Sequence, residues 1–238
     1  MAQILFTARH GGVSAGEFGS LNLGDHVGDI ALAVENNRKI LKNLLSQVSP
    51  VFMNQVHGSE VIEVDSNSIT PVSADALITR EVGLPLAVLC ADCLPILIRG
   101  SKIVGAIHAG RKGLLNGIIK ETISRMRALG GENLVANIGP AICSKCYEVD
   151  LPMYLDAVSH ESELTTNPET HCLDLKRAAR SQLSAQGVKV SDLEICTAHD
   201  SNYFSYRRDG VTGRNAGVIV LSPNIVPATF NGILYYFC

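Results

Sequence analysis

Three side chains able to hold a soft metal or to attack an electrophile stand at the ends of apolar runs: His57, Cys93 and His108. Leu84 to Ala91 is a continuous apolar run that delivers Asp92 and Cys93. Lys102 to Ile107 is a second run, which delivers His108 and then Ala-Gly-Arg-Lys-Gly. His57 follows Val51-Phe52-Met53 at a bend before the alternating run Val61 to Val64. Two imidazoles and one thiolate leave a coordination position open, which is the pattern of catalytic zinc. Zinc so held lowers the pKa of a bound water toward ~7. A structural ion would want a fourth ligand, which His10 or His199 could supply. The same residues admit a metal-free chemistry, with Cys93 as nucleophile and His108 as base, if the thiol pKa is lowered. They also admit a bland reading, a buried cysteine with two unrelated histidines. Residue types and spacing leave these alternatives open. Asp92 could orient a ligand from behind or cap a turn before Pro95.

The two CxxC pairs, Cys90/Cys93 and Cys143/Cys146, suggest a four-thiolate zinc site. Cys90, however, lies inside an apolar strand pattern. Alternation sends it and Cys93 to opposite faces, so Cys90 reads as a small buried hydrophobe.

The elements that must position these residues follow from periodicity. Strands are expected at Ile4–Ala8, Val61–Val64, Ala74–Thr79, Leu134–Ile138, Leu193–Thr197 and Gly217–Leu221, beside the two central runs. Helices are expected from Asp29, as N-cap, to Gln47; from Leu114 to Leu129; from Asp150 to His160; and from Asp174 to Gln186, stopped by Gly187. The glycine-rich stretch from Arg9 to His26 is a long loop, and Arg9 and His10 are candidates to line a site. The turn from Gly110 to Gly113, with Arg111 and Lys112 at a helix start, could hold an anion such as phosphate. Ser201 to Gly210 is aromatic and basic. Some strand pairs have connections too short for parallel crossovers, so the sheets should be mixed. The fold class is α/β (α+β), as a single domain over residues 1–238.

Composition narrows the function. The chain is 46% hydrophobic, with 20 Lys+Arg against 23 Asp+Glu and a net charge of −3. It carries no nucleic-acid footprint, and the lack of Trp leaves little for stacking bases. The longest apolar stretch, Leu84 to Ile98, is interrupted by Pro85, Asp92 and Pro95. It falls short of the roughly 20 residues that cross a bilayer, so no membrane partner is expected. No secretory signal precedes the first strand, so the expected location is cytoplasmic, with the seven cysteines reduced.

Several segments together resemble the YfiH/YlmD family of laccase-domain, or polyphenol oxidase, proteins. They are NQVHG at Asn54 to Gly58, ADALIT at Ala74 to Thr79, ADCLPIL at Ala91 to Leu97, HAGRKGL at His108 to Leu114, and the Gly-Pro-Ala-Ile and Cys-Tyr-Glu-Val pieces between Ile138 and Val149. TARHGGVS, LNLGDHVGD and FSYRRDGVTGR support them. The resemblance implies mixed β-sheets sandwiched between helices and a metal site on His57, Cys93 and His108, usually zinc, with copper possible.

The implied activity is purine nucleoside chemistry: phosphorolysis of adenosine, inosine and methylthioadenosine, and deamination of adenosine. The implied partners are therefore small molecules, a purine nucleoside and phosphate. Arg9 and Lys112 become phosphate candidates, and Arg38 and Gln55 candidates for contact with the nucleoside. A second implied role is peptidoglycan editing, removing L-Ser or Gly from a UDP-MurNAc precursor. A multicopper oxidase is the weakest reading, because it needs many more histidines than the seven dispersed here. A non-enzymatic metal-binding protein is the remaining alternative. Two departures stand out: Arg111 replaces the family's frequent Trp, and the tail over residues 225–238 is atypical.

Overall fold

Runs that are apolar at every position become strands buried on both faces. A computed structural model describes residues 2–45, 47–222 and, as backbone, 235–237. Among these residues twelve strands form two six-stranded sheets. The strands of the first sheet are β1 (Ala2–Phe6), β2 (Val51–Asn54), β4 (Val72–Ser73), β6 (Pro85–Cys90), β11 (Asn215–Leu221) and β12 (Tyr235–Phe237), in the order β12-β1-β11-β6-β2-β4. Those of the second are β3 (Val61–Glu63), β5 (Ala76–Thr79), β7 (Leu94–Arg99), β8 (Val104–Ala109), β9 (Val135–Ile138) and β10 (Lys189–Asp192), in the order β10-β9-β7-β8-β5-β3. Both sheets mix parallel and antiparallel pairs: β7 and β8 run antiparallel, while β10 and β9 are parallel.

Period-2 alternation assigns each side chain to a layer. On β6, Leu86, Val88 and Cys90 face the space between the sheets, while Ala87 and Leu89 face outward. The outward side chains pack with Leu41 of helix α1 (Ala31–Leu44). On β7, Leu97 joins the inter-sheet core. Leu94, Ile96 and Ile98 face a larger core shared with the helices α3 (Ile118–Ala128), α4 (Leu151–His160) and α5 (Leu175–Ala185). The result is a helix–sheet–sheet–helix sandwich, as the sequence patterning and the resemblance anticipate. Among the described residues, no helix is long and apolar enough to cross a membrane.

Several local expectations are revised. Asp29 does not cap α1: its Oδ2 accepts from Ser14 Oγ and Asn22 Nδ2, and the cap position is Ile30. The carboxylate is used by the glycine-rich loop, which is stitched in place and not loose. Buried Asn37 of α1 accepts from Val13 N and donates to Ser20 O, Asn22 O and Ser14 Oγ. The helix expected from Leu114 to Leu129 is two pieces, α2 (Arg111–Leu115) and α3, because Gly117 takes φ +80° between them. The strand near Ile195 is displaced: β10 ends at Asp192, and residues 193–197 run on as a loop. Asp150 and Asp174 do cap α4 and α5, accepting from Met153 N and Arg177 N. Most of the atypical tail lies outside the described residues; its Tyr235–Phe237 segment pairs antiparallel with β1.

Candidate metal centre and surrounding pocket

The site sits where the chain passes from one sheet to the other. β6 belongs to the first sheet and β7 to the second, and Ala91-Asp92-Cys93 makes the step. Asp92 takes φ +108°, a conformation disfavoured for a residue with a side chain. Its carboxylate explains how it is held there. Oδ1 accepts from Thr197 Oγ1 and Ser205 Oγ, both at 2.7 Å, and Oδ2 from Arg207 N at 2.7 Å. Its carbonyl accepts from Ile142 N. Asp92 therefore gathers two distant loops around the crossing, and Cys93 follows it directly.

β8 brings His108 to the same end of the inter-sheet layer. In the antiparallel ladder His108 lies opposite Pro95 of β7, close to Cys93. On its other side β8 pairs with β5, which brings Asp75 alongside. His108 N donates to Asp75 O, and His108 Nδ1 lies 2.8 Å from Asp75 Oδ1. Asp75 is fully buried and also accepts from the backbone N–H groups of His57 (3.0 Å), Val56 (3.3 Å) and Gly58 (2.6 Å). One carboxylate thus fixes the His108 ring and the backbone turn that presents His57, itself at φ +58°. These bonds and the His108 imidazole hold Asp75 ionised against the cost of its burial, with its pKa below the ordinary carboxylate value.

His57, Cys93 and His108 come together, with ligand atoms all within 4.8 Å of one another. Cys93 Sγ lies 3.9 Å from His57 Nε2, and the two imidazoles meet edge to face at 4.7 Å between centroids. Because Asp75 engages Nδ1 of His108, Nε2 is the nitrogen left for the ligand set, the arrangement typical of a metal-binding histidine. The donor chemistry fits a borderline-soft ion such as zinc. Gly110 is needed for this closeness: a Cβ there would lie 3.0 Å from Cys93 Sγ and 3.3 Å from His57 Cδ2.

The same geometry sets the charges. Burial opposes ionisation of Cys93, but the neighbouring His108 and His57 imidazoles outweigh it and bring the thiol down to about 6. Burial likewise opposes charge on His108, but the Cys93 thiolate and the Asp75 carboxylate lift it to about 9. Without an ion the pair is a thiolate–imidazolium. Cys90 is driven the other way by burial and stays a neutral thiol in the inter-sheet core.

A cavity of about 440 Å³ opens over the three ligands, walled by Tyr147, Tyr206, Arg207, Arg214, Ile142 and Gln55 among others. A second cavity of about 400 Å³ holds Arg38, Asp25 and Phe52 and shares Gln55, His26 and Leu89 with the first. Gln55 is the partition between them: its amide exchanges two hydrogen bonds with the backbone of Leu89, extending the β2–β6 ladder by one side chain. Arg38 stacks on Phe52 at 4.1 Å and pairs with Asp25 at 3.2 Å.

The remaining candidates lie elsewhere. Arg9 donates to Gly19 O and covers the Phe204 ring, outside the lining of either cavity. Lys112 is exposed on the five-residue α2 and lines neither. His10 meets Asn202, and His199 meets Cys146, so neither joins Cys93. Sequence reasoning missed the roles of Asp75, Arg207 and Arg214. FSYRRDGVTGR carried a signal for the arginines, since it places three cations beside four aromatic or hydroxyl-bearing residues, but nothing in it says which cations face inward. Arg111 is half-buried, and its charge falls on the Tyr147 phenol, whose pKa burial and the Cys93 thiolate raise.

Comparison with known proteins agrees with this architecture along nearly the whole chain. The sequence profile described as multi-copper polyphenol oxidoreductase laccase matches residues 3–222. A Streptomyces coelicolor protein named purine nucleoside phosphorylase is 42% identical over 91% of this chain and 94% of its own length. A Corynebacterium glutamicum protein of the same name is 40% identical over 91% and 93%. Among solved structures, a Neisseria meningitidis protein superposes with a TM-score of 0.85 at 34% identity, covering 93% of this chain and 94% of that one. YlmD from Geobacillus stearothermophilus does so at 0.80 and 33%, covering 91% and 90%. The profile match over residues 3–222 and the likeness to named YfiH and YlmD proteins place this chain in the YfiH/YlmD family of laccase-domain proteins.

Proposed function

We propose that this protein is a metal-dependent purine nucleoside enzyme of the cytoplasm, cleaving nucleosides with phosphate and deaminating adenosine. The observation that carries the reading is the His57–Cys93–His108 ligand set, backed by Asp75, on the floor of a cavity walled by two tyrosines and two arginines. Relatives about 40% identical that bear the name purine nucleoside phosphorylase support it.

His57, Cys93 and His108 would hold the ion, and zinc suits their donors. When bound, zinc supplies Lewis acidity, which favours an ionised water at neutral pH. The chain's own groups do the rest. Asp75 keeps the proton of His108 on Nδ1. The rings of Tyr147 and Tyr206 offer flat apolar walls for a purine. The positive charges of Arg207 and Arg214, which line the cavity, suit a phosphate dianion better than Arg9 and Lys112, which do not line it. In phosphorolysis a phosphate oxygen bonds to the ribose anomeric carbon as the bond to the purine nitrogen breaks. The base leaves with that electron pair and a proton. In deamination water adds at C6 of adenine and ammonia departs.

The test is mass spectrometry of metal-replete protein incubated with inosine and phosphate, and separately with adenosine alone. Hypoxanthine with ribose 1-phosphate is expected from the first and inosine from the second. Folded, zinc-loaded protein that forms neither would overturn the reading.

One observation favours a second reading. The ionised Cys93 beside the His108 imidazolium is also a nucleophile–acid pair, which suits amide hydrolysis of an L-Ser or Gly residue wrongly added to a UDP-MurNAc precursor. Release of serine from UDP-MurNAc-L-Ser, abolished by Cys93→Ala, tests it. The donor sets argue against multicopper oxidation, since the two metal-competent clusters among the described residues contain three histidines between them.

A further inference from the structure

A second cluster with metal-ligating geometry lies beside the pocket, and the site above does not use it. Cys143, Cys146, Cys196 and His199 bring one ligand atom each to within 4.8 Å of one another. Two sequence pieces contribute, Cys143-Ser-Lys-Cys146 after β9 and Cys196-Thr-Ala-His199 after β10. Both fold into the same turn. Cys146 N and Tyr147 N donate to Cys143 O at 3.1 and 3.2 Å; His199 N and Asp200 N donate to Cys196 O at 3.2 and 3.0 Å. The turns lie side by side because Ala141 and Cys196 form a parallel bridge, with Ala141 N on Ile195 O and Thr197 N on Ala141 O. Cys146 Sγ lies 3.0 Å from His199 Nε2, and Cys143 N donates to Cys196 Sγ at 3.3 Å. An N–H bond to a sulfur is the kind of outer contact that orients a thiolate ligand.

We infer that Cys143, Cys146, Cys196 and His199 form a structural zinc site, separate from the His57–Cys93–His108 centre, that clamps the loop bearing Ile142 and Tyr147 of the cavity wall to the loop that follows β10. Four protein ligands of the Cys₃His type fill a tetrahedral shell and leave no position for substrate. Sulfur atoms bound to one zinc at about 2.3 Å stand roughly 3.8 Å apart, within the spread seen here. A CxxC turn beside a CxxH turn is the spacing such sites use, and the turn hydrogen bonds are already made. The clamp bears on the pocket through its neighbours. Ile142 and Tyr147, which line the cavity, flank the first turn. Arg207 donates to Cys146 O and Glu148 O, and Arg208 to Thr197 O and Asp200 O. The two arginines thereby join both turns to α6 (Tyr206–Asp209).

The test uses the full chain carrying Cys93→Ala, which removes the sulfur of the first centre. After expression with zinc and dialysis against a weak chelator, one zinc per chain should remain. X-ray absorption should give three sulfurs and one nitrogen at about 2.3 and 2.0 Å. Cys196→Ser in the otherwise unchanged chain should lose that shell and speed amide hydrogen exchange in both residues 141–148 and 195–200. Zinc absent from folded Cys93→Ala protein would overturn the inference, as would a shell with one sulfur or none, or a Cys143–Cys146 disulfide in protein purified under reducing conditions. Should Cys196→Ser fail to fold, the absorption spectrum of the Cys93→Ala protein decides alone.

Discussion

Replacing Asp75 by Asn changes one oxygen and should disable His108 as a ligand. The carboxylate accepts four hydrogen bonds, from His57 N, Val56 N, Gly58 N and His108 Nδ1. An amide has a single acceptor oxygen, and Gly58 N, at 2.6 Å, is its best partner. The NH₂ group then faces His57 N and His108 Nδ1. His108 can adapt by accepting at Nδ1, but its proton then moves to Nε2, the nitrogen that faces Cys93 and the ion. His57 N, half-buried, is left without its acceptor, which costs about 1 kcal/mol of stability. Loss of such an orienting carboxylate lowers metal affinity roughly 10–100-fold, or about 1.4–2.7 kcal/mol. Titration calorimetry of zinc into the metal-free protein reads the second quantity, and urea unfolding of the same sample reads the first. Nitrogen NMR of the imidazole should show the tautomer reversed. Wild-type zinc affinity with the proton still on Nδ1 would refute the reasoning, whatever the stability.

Further outcomes follow from other contacts. In metal-free protein, alkylation of Cys93 by iodoacetamide should rise with pH through about 6, and His108→Gln should move that midpoint toward the ordinary thiol range; a wild-type midpoint near 9 would contradict the ion pair. Stability linked to His108, whose folded pKa is raised, is fully present below the ordinary imidazole value and is lost as pH rises through about 9. That linked to Cys93, whose pKa is depressed, is present above the ordinary thiol value and is lost as pH falls through about 6. The two trends offset each other above the ordinary imidazole value, so denaturant midpoints of the metal-free protein should stay nearly level from there to about 9, and a steep fall over that range would contradict the ion pair. Gly110→Ala should weaken zinc binding about tenfold with little change in Tm, since its backbone angles suit alanine and only the new methyl intrudes; unchanged affinity would mean that the ligands need no such approach. Asp92→Ala should destabilise the fold by about 3 kcal/mol, because Thr197, Ser205 and Arg207 N each lose a buried or half-buried acceptor, and thermal unfolding measures it.

How much of this was legible depends on the range over which each interaction acts. Residue types and spacing left the metal triad as one alternative among several, and the resemblance carried by NQVHG, ADCLPIL and HAGRKGL singled it out. The strands themselves were legible where both faces are buried, as at β6 and β8. Asp75 was visible only as a residue on a short strand; its importance comes from β5 lying beside β8, a pairing that no local pattern specifies. Asp29 looked like a helix cap because capping residues and loop anchors share one chemistry, and the structure uses it for the loop. Cys143 and Cys146 were noticed as a pair, but the natural partner by spacing was the other CxxC. The true neighbours, Cys196 and His199, lie about fifty residues on and meet them only because β10 runs parallel to β9. Arg207 and Arg214 could be seen as charge but not as direction.

The three ligands of the first centre do not hang from one scaffold. His57 extends from β2 in one sheet, whereas Cys93 and His108 extend from β7 and β8 in the other. An ion held by all three would add a polar tie between layers that otherwise meet mainly through the close-packed apolar side chains of the inter-sheet core. Sliding of one layer against the other would open the coordination shell, and filling the shell would resist that shear.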